Sequence, residues 1–204
     1  MDLPWDDSRL AFAEAAEWFV GTAAHVDGRW AEPGLGEWDV RSLVGHTSRA
    51  LLTVETYLAR PAAVVEVASA VDYYAAARSL ATSAEVATRG RDAGEALGSD
   101  PAAAVSIIAG RVVPLLDACD GSEVVTTIVG GMRLGDYLPT RTFELVVHTA
   151  DLARALDLPI DPPATAASQA LRLVADLAVM GGVAGPLLLA ATGRHGLPAS
   201  FSVV

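Results

Sequence analysis

The residues best suited to chemistry lie in one run, Arg141-Thr142-Phe143-Glu144-Leu145-Val146-Val147-His148-Thr149-Ala150-Asp151. Read as a helix, the run sets Glu144 and His148 four residues apart on one face, and Arg141 and Asp151 extend that face by three residues on either side. Phe143, Leu145, Val146, Val147, Ala150, Leu152 and Ala153 crowd around this polar stripe and leave little room for a separate wet side. If the helix is buried nearly all round, these polar groups lie inside, where an ionisable side chain needs a partner or a metal. Glu144 and His148, joined by His46 from another helix, would supply nitrogen and oxygen ligands with a coordination position left open, a pattern that suits catalysis more than structure. The competing reading makes 141–151 the wet face of an amphipathic helix, with an ordinary contact between Glu144 and His148, and makes His46 a hydrogen-bonded core histidine.

Other reactive residue types carry less. His25 closes the first helix and His195 sits in the turn Thr192-Gly193-Arg194-His195-Gly196, so both are expected at the surface. Cys119 lies beside Asp117 and Asp120, whose charge raises a thiol pKa and argues against a nucleophile. Neither a phosphate-cradling glycine loop nor a Gly-x-Ser-x-Gly elbow is present.

The elements that must position these residues are helical, since Ala, Leu and Val recur at helical spacing and alternating strand patterns are nearly absent. A first helix is expected over 6–26, with Leu10, Ala13, Trp18 and Val20 among its apolar positions, followed by a loop carrying Pro33, Gly34 and Gly36. A second helix begins at Trp38-Asp39 and runs to Arg60, and Leu43, Ala50, Val54 and Tyr57 share a stripe with His46 that turns the imidazole inward. A third covers 70–97. A fourth starts at Ser99-Asp100-Pro101, is kinked by Pro114 and ends near Gly121. An extended connector over 122–131 leads to the fifth, 134–156, and one or two more helices follow Pro162 before a β-prone end, 201–204. The apolar stretch 173–191 is broken by Asp176, Gly181, Gly182, Gly185 and Pro186, so a buried helix pair suits it better than a membrane span.

With 204 residues the chain can bury a substantial core. Every one of its 14 basic residues is arginine, and 25 acids bring the net charge to −11, which excludes an electrostatic grip on nucleic acid or anionic lipid. A small molecule or another protein is the expected partner. A single cysteine and an acidic beginning, Met-Asp-Leu-Pro-Trp-Asp-Asp, lead to the expectation of a cytoplasmic protein.

The segment Trp38-Asp39-Val40-Arg41-Ser42-Leu43-Val44-Gly45-His46, followed about a hundred residues later by 141–151, resembles the metal-binding domain of mycothiol-dependent maleylpyruvate isomerases, within the DinB-like superfamily of four-helix metalloproteins. The likeness covers about 10–158, and 187–194 resembles a segment shared by many actinobacterial-type relatives. It implies an all-α, DinB-like four-helix bundle over 1–160, a short C-terminal helical extension over 161–204, and His46, Glu144 and His148 as ligands, usually to zinc. The isomerases carry a fuller C-terminal domain that contributes a catalytic arginine, and that residue has no mapped counterpart here. Arg141, Asp151 and Arg194 are the candidates for orienting a ligand or anchoring an anionic substrate, while Arg141 and Asp151 are equally readable as a surface ion pair.

The function implied is a metal-dependent thiol S-transferase or thiol-assisted cis–trans isomerase, with mycothiol as the thiol cosubstrate. Two other classes stand beside it. One is a non-catalytic metal-binding module that holds a ligand or partner, its apolar tail serving as a homodimer face. The other is a metallohydrolase, for which the sequence places no clear extra acid as base.

Overall fold

The structure is a computed structural model that describes residues 4–78, 80 and 82–204. Helix α1 (Trp5–Ala23) opens with Asp6 and Asp7 in its first turn, where the macrodipole favours them. The chain turns away at Asp27 and Gly28, both with positive φ. Its buried side is Ala11, Phe12, Ala15, Ala16, Phe19 and Ala23. The expected apolar positions lie off this stripe: Leu10 is half-exposed, while Ala13, Trp18 and Val20 are only part-buried. The glycine-rich stretch expected as a loop is a tight hairpin, β1 (Pro33–Leu35) and β2 (Trp38–Asp39), antiparallel. The hairpin ends at Asp39, whose carboxylate accepts from the Ser42 N–H at 2.8 Å and caps α2 (Val40–Leu58).

The single helix expected over 70–97 is two. Helix α3 (Ala70–Ala77) is capped by Ser69, and α4 (Ser83–Ala96) starts afresh at a capping box formed by Thr82 and Glu85. A capping box satisfies the first free N–H groups of a new helix, so it favours a start where periodicity alone suggested continuity. Residues 79 and 81, within the expected helix, lie outside those described. Helix α5 (Pro101–Val112) has Asp100 as cap and Pro101 in its first turn. At Pro114 the expected kink is instead a change to a 3-10 helix, Val113–Ala118. The expected connector pairs with itself as a hairpin, β3 (Val124–Thr127) with β4 (Gly130–Arg133), which feeds directly into α6 (Leu134–Ala155).

Helices α1, α2 and α6 enclose the core, with Phe12, Phe19, Leu43, Leu51, Leu138, Leu145 and Leu152 wholly buried. Helix α7 (Ala164–Met180) lies against α1 and α6 through Ala166, Ala170, Leu173 and Leu177. The following helix α8 (Ala184–Ala191) has no buried residue, and Leu188 is 65% exposed, so the expected buried helix pair is one packed helix and one exposed one. The β-prone end forms no strand; Val203 packs on the core and Arg78 donates to its carbonyl. By length and composition one described stretch, Pro101–Ala118, would serve as a membrane-crossing helix, but here Val105, Ala109, Val112 and Leu116 turn into the core and Arg111 pairs with Glu55 at 2.7 Å.

Helix α2 meets α4 at a glycine-on-glycine crossing immediately before His46. A Cβ on Gly45 would stand 2.1 Å from the Gly94 backbone nitrogen, and one on Gly94 would stand 2.8 Å from the Arg41 carbonyl oxygen. Arg41 reinforces the crossing by donating to the Gly94 carbonyl at 2.9 Å and also to that of Gly98. The clash at Gly45 is with backbone, which cannot swing aside. Gly45→Ala is therefore expected to destabilise the fold by about 1–3 kcal/mol or more through forced separation of the helices, measured by thermal or urea unfolding. An unchanged midpoint would show that the two backbones are free to part.

Candidate metal centre

The polar stripe of α6 faces inward. Arg141 is buried, and the side chains of Glu144, His148 and Asp151 are only 22%, 16% and 18% exposed, whereas Val147 and Arg154 form the wet side. Each of these inward groups is met by another. His148 Nε2 lies 3.3 Å from Glu144 Oε2, and His148 Nδ1 lies 3.3 Å from Asp151 Oδ2. Tyr74 of α3 donates its hydroxyl to Glu144 Oε1 at 2.7 Å, and Arg154 donates to Asp151 Oδ1 at 3.0 Å. The surface ion pair between Arg141 and Asp151 does not form, since Asp151 pairs with His148 and Arg154 while Arg141 is inside.

His46 arrives from α2. Its ring stands 4.8 Å from that of His148, nearly perpendicular to it, and stacks on Trp38 at 4.4 Å. Trp38 is itself held by the hydrogen bond from its indole N–H to the Ala87 carbonyl at 2.9 Å, against Gly90, where no side chain would fit. The hairpin, the glycine crossing and α4 thus set the imidazole. His46 Nδ1 is buried without a hydrogen-bond partner, the kind of unmet lone pair or N–H that a protein interior seldom tolerates.

One ligand atom each from His46, Glu144 and His148 lies within 4.8 Å of the others. Ligands at about 2.1 Å from a tetrahedral ion stand roughly 3.4 Å apart, so the set needs only side-chain adjustment to close on one. The orphaned His46 nitrogen and the mixed nitrogen and oxygen donors fit a divalent ion. Asp151 then occupies the place of the carboxylate that fixes the tautomer and tilt of a ligating imidazole.

The charges agree with this arrangement. Burial would raise the Glu144 carboxyl, but its hydrogen bond with His148 and the charge of Arg141 bring it down to about 2. Burial pushes the His148 imidazole down, yet the Asp151 and Glu144 carboxylates hold it up at about 9. His46 is lowered to about 4, first by burial and then by the positive charge of His148. Without a metal, a proton on His148 supplies the positive charge between two carboxylates, and His46 is neutral.

A cavity of about 190 Å³ adjoins the centre, and His46, Glu144 and Arg141 line it together with Tyr57, Tyr73 and Tyr74. Arg194 is not brought here; it is exposed and donates to the Thr192 carbonyl in its own turn. His25 and His195 are exposed, as expected. The Cys119 thiol is pushed up as expected, but chiefly by partial burial and Glu123, with Asp120 the smaller cause. Tyr74, Tyr73 and Trp38 also stand at the site, where residue type and spacing had not placed them. The adjacent pair Tyr73-Tyr74 in an alanine-rich helix, and Trp38 directly before the Asp39 cap, are the signals that point to them.

Because His46 and Glu144 are already deprotonated near neutrality while His148 is not, loading a divalent ion should release about one proton. Apparent affinity should rise about tenfold per pH unit from about pH 6 and level off near pH 9, measured by calorimetry in buffers of different ionisation enthalpy. A pH-independent affinity would contradict the proton on His148. In Asp151→Asn, affinity above pH 9 should fall about 10–100-fold, and the deficit should narrow toward neutrality because His148 then sheds its proton more easily. Parent-like affinity at high pH would deny Asp151 its orienting role.

Neither the curated proteins nor the solved structures contain a match to this chain. The family model described as mycothiol maleylpyruvate isomerase N-terminal domain matches residues 11–153, the span that runs from α1 through His46 to the α6 stripe. The mostly helical fold, with its three ligand-type side chains gathered from α2 and α6, agrees with that match. The chain belongs to the family of the mycothiol maleylpyruvate isomerase N-terminal domain.

Proposed function

We propose that this protein is a metal-dependent thiol S-transferase or thiol-assisted cis–trans isomerase acting on a small electrophilic metabolite, with zinc as the metal and a thiol of the mycothiol type as cosubstrate. The observation that carries the proposal is that His46 and Glu144 are at once potential ligands and walls of a cavity, so the centre opens onto a space a small molecule can enter. When bound, a divalent ion would favour the thiolate form of a thiol, which is the reactive nucleophile.

The chain's own groups prepare that chemistry. Asp151 orients the His148 ring, and Trp38 backs the His46 ring. Tyr74 keeps its hydroxyl proton, its pKa raised well above the ordinary value first by burial and then by Glu144, and so it donates to Glu144 rather than competing with it as an anion. The thiolate adds to an electrophilic carbon, forming a C–S bond. In transfer, a leaving group departs or a proton is added and the thioether is released. In isomerisation, the π electrons of the alkene move onto the conjugated acceptor, the resulting single bond rotates, and expulsion of the thiolate restores the double bond with no net redox change.

Small-molecule partners, motivated by the net charge of −11, and a cytoplasmic location, motivated by the single cysteine, belong to the same proposal. Among the described residues Glu144 is the only carboxylate lining the cavity. That leaves no free base for activating water and disfavours the metallohydrolase reading.

The test is metal content after zinc reconstitution of the parent, His46→Ala and His148→Ala chains, followed by consumption of an activated alkene or halide with mycothiol, with glutathione and with no thiol. About one equivalent of metal in the parent, its loss in both variants and turnover that requires a thiol are expected. No metal in the parent, or turnover indifferent to thiol, would overturn the proposal.

A further inference from the structure

The nitrogen of His46 is not the only buried polar atom left unmet. Gln169 of α7 is 3% exposed, and its Nε2 donates to the Ser8 hydroxyl at 2.7 Å, but its Oε1 has no hydrogen-bond partner among the described residues. The chain has no asparagine and no other glutamine, so this is its only side-chain carboxamide. An amide carbonyl held out of water without a donor costs free energy that an apolar side chain would avoid. Gln169 also lines a cavity of about 140 Å³ enclosed by α1, α3, α6 and α7. That cavity shares no lining residue with the one at the metal centre.

Its walls are rich in acceptors. Gly135 and Pro139 both line it, and proline has no N–H to give the carbonyl four residues back, so the Gly135 carbonyl lacks its ordinary helical donor. Asp176 lines it and forms no ion pair among the described residues. Asp136 adds a second carboxylate, with Arg133, which is not part of the lining, 3.8 Å away. Arg172 is the one cation among the lining residues, and it is exposed, so its head stays hydrated. Ser69 is committed to capping α3, where it accepts from the Asp72 N–H and donates to the Asp72 carboxylate. Val71, Pro139 and Leu173 supply apolar wall between these groups. The unmet requirement is thus for N–H donors and a positive charge. A primary ammonium carries three donors and that charge on one atom, and a short hydrocarbon tail would lie on the apolar wall. The volume is near that of a cavity that accepts benzene, which limits the guest to about six non-hydrogen atoms.

We propose that this cavity is a second small-molecule site, separate from the metal centre, which binds a small protonated primary amine through Gln169 Oε1, the Gly135 carbonyl and the Asp176 carboxylate. The chain contains no lysine, so no side-chain amine of its own competes for the place. The site needs neither metal nor thiol and stands whether or not the functional reading above does.

The test uses the full chain labelled with nitrogen-15, in which the Gln169 side-chain N–H pair is the only carboxamide signal. Titration near neutrality with n-butylamine should move that pair along a one-site saturation curve. n-Butanol, which keeps the tail and one donor but has no charge, should bind about tenfold more weakly, and so should tetramethylammonium, which keeps the charge but has no N–H. Gln169→Leu should lose n-butylamine binding by calorimetry while its backbone amide spectrum stays that of a folded chain. Asp176→Ala, at an exposed position, should weaken the amine several-fold and leave n-butanol unchanged. A carboxamide pair that n-butylamine leaves in place would overturn the site, as would n-butanol or tetramethylammonium binding as tightly as the amine, or a folded Gln169→Leu with parent affinity. If Gln169→Leu fails to fold, unchanged amine affinity in Asp176→Ala overturns it instead.

Discussion

Placing ionisable side chains on the inward side of a core helix is the constraint around which this fold is arranged. Arg141, Glu144, His148 and Asp151 occupy the stripe of α6 where a structural helix would carry leucine. Each would cost several kcal/mol to bury alone, so each is met by a partner, Asp151 by His148 and Arg154 of α6 itself and the others in part by groups from elsewhere in the chain. Tyr74 from α3 meets Glu144, His46 from α2 approaches His148, and the rings of Tyr73 and Tyr137 cover Arg141. The helices that carry these partners are thereby tied to one another through the centre as well as through the apolar core.

The close approach that makes this possible is achieved by missing side chains. Gly45 and Gly94 let α2 and α4 touch backbone to backbone, and Gly90 makes room for the Trp38 ring. Larger residues would hold α4 away, and the surface that Trp38 offers to His46 would move with it. A rigid scaffold of this kind suits a centre whose ligands must stand within a few tenths of an ångström of a common point.

A proton and a divalent ion would fill the same role here. In the metal-free protein His148 carries a proton between Asp151 and Glu144, and that positive charge lets two carboxylates share an enclosed space. A divalent ion held by His46, Glu144 and His148 would take over the neutralising function and would offer a role to a histidine whose buried Nδ1 has no hydrogen-bond partner. The proton on His148 keeps the centre electrostatically coherent without a metal, which helps a polar interior persist inside a marginally stable fold.

The all-α class and the ligand-bearing face of α6 were readable from residue spacing, because side chains four apart on a helix must share a face whatever surrounds it. The inward turn of His46 followed from Leu43, Ala50, Val54 and Tyr57 on its stripe, all of which are buried. Local chemistry also announced the caps at Asp39 and Asp100, but the continuous helix over 70–97 was misread because periodicity outweighed the Thr82–Glu85 box. The helix pair over 173–191 was misread because composition does not say what covers an apolar face, and no residue of α8 is fully buried. Whether the α6 stripe is a wet face or a buried one was undecidable from its own residues, since the same spacing serves both. Packing of α2 and α3 across it decided the matter, and with it the gathering of Tyr73, Tyr74 and Trp38, because contacts between residues far apart in the chain depend on how helices cross, which no local pattern encodes.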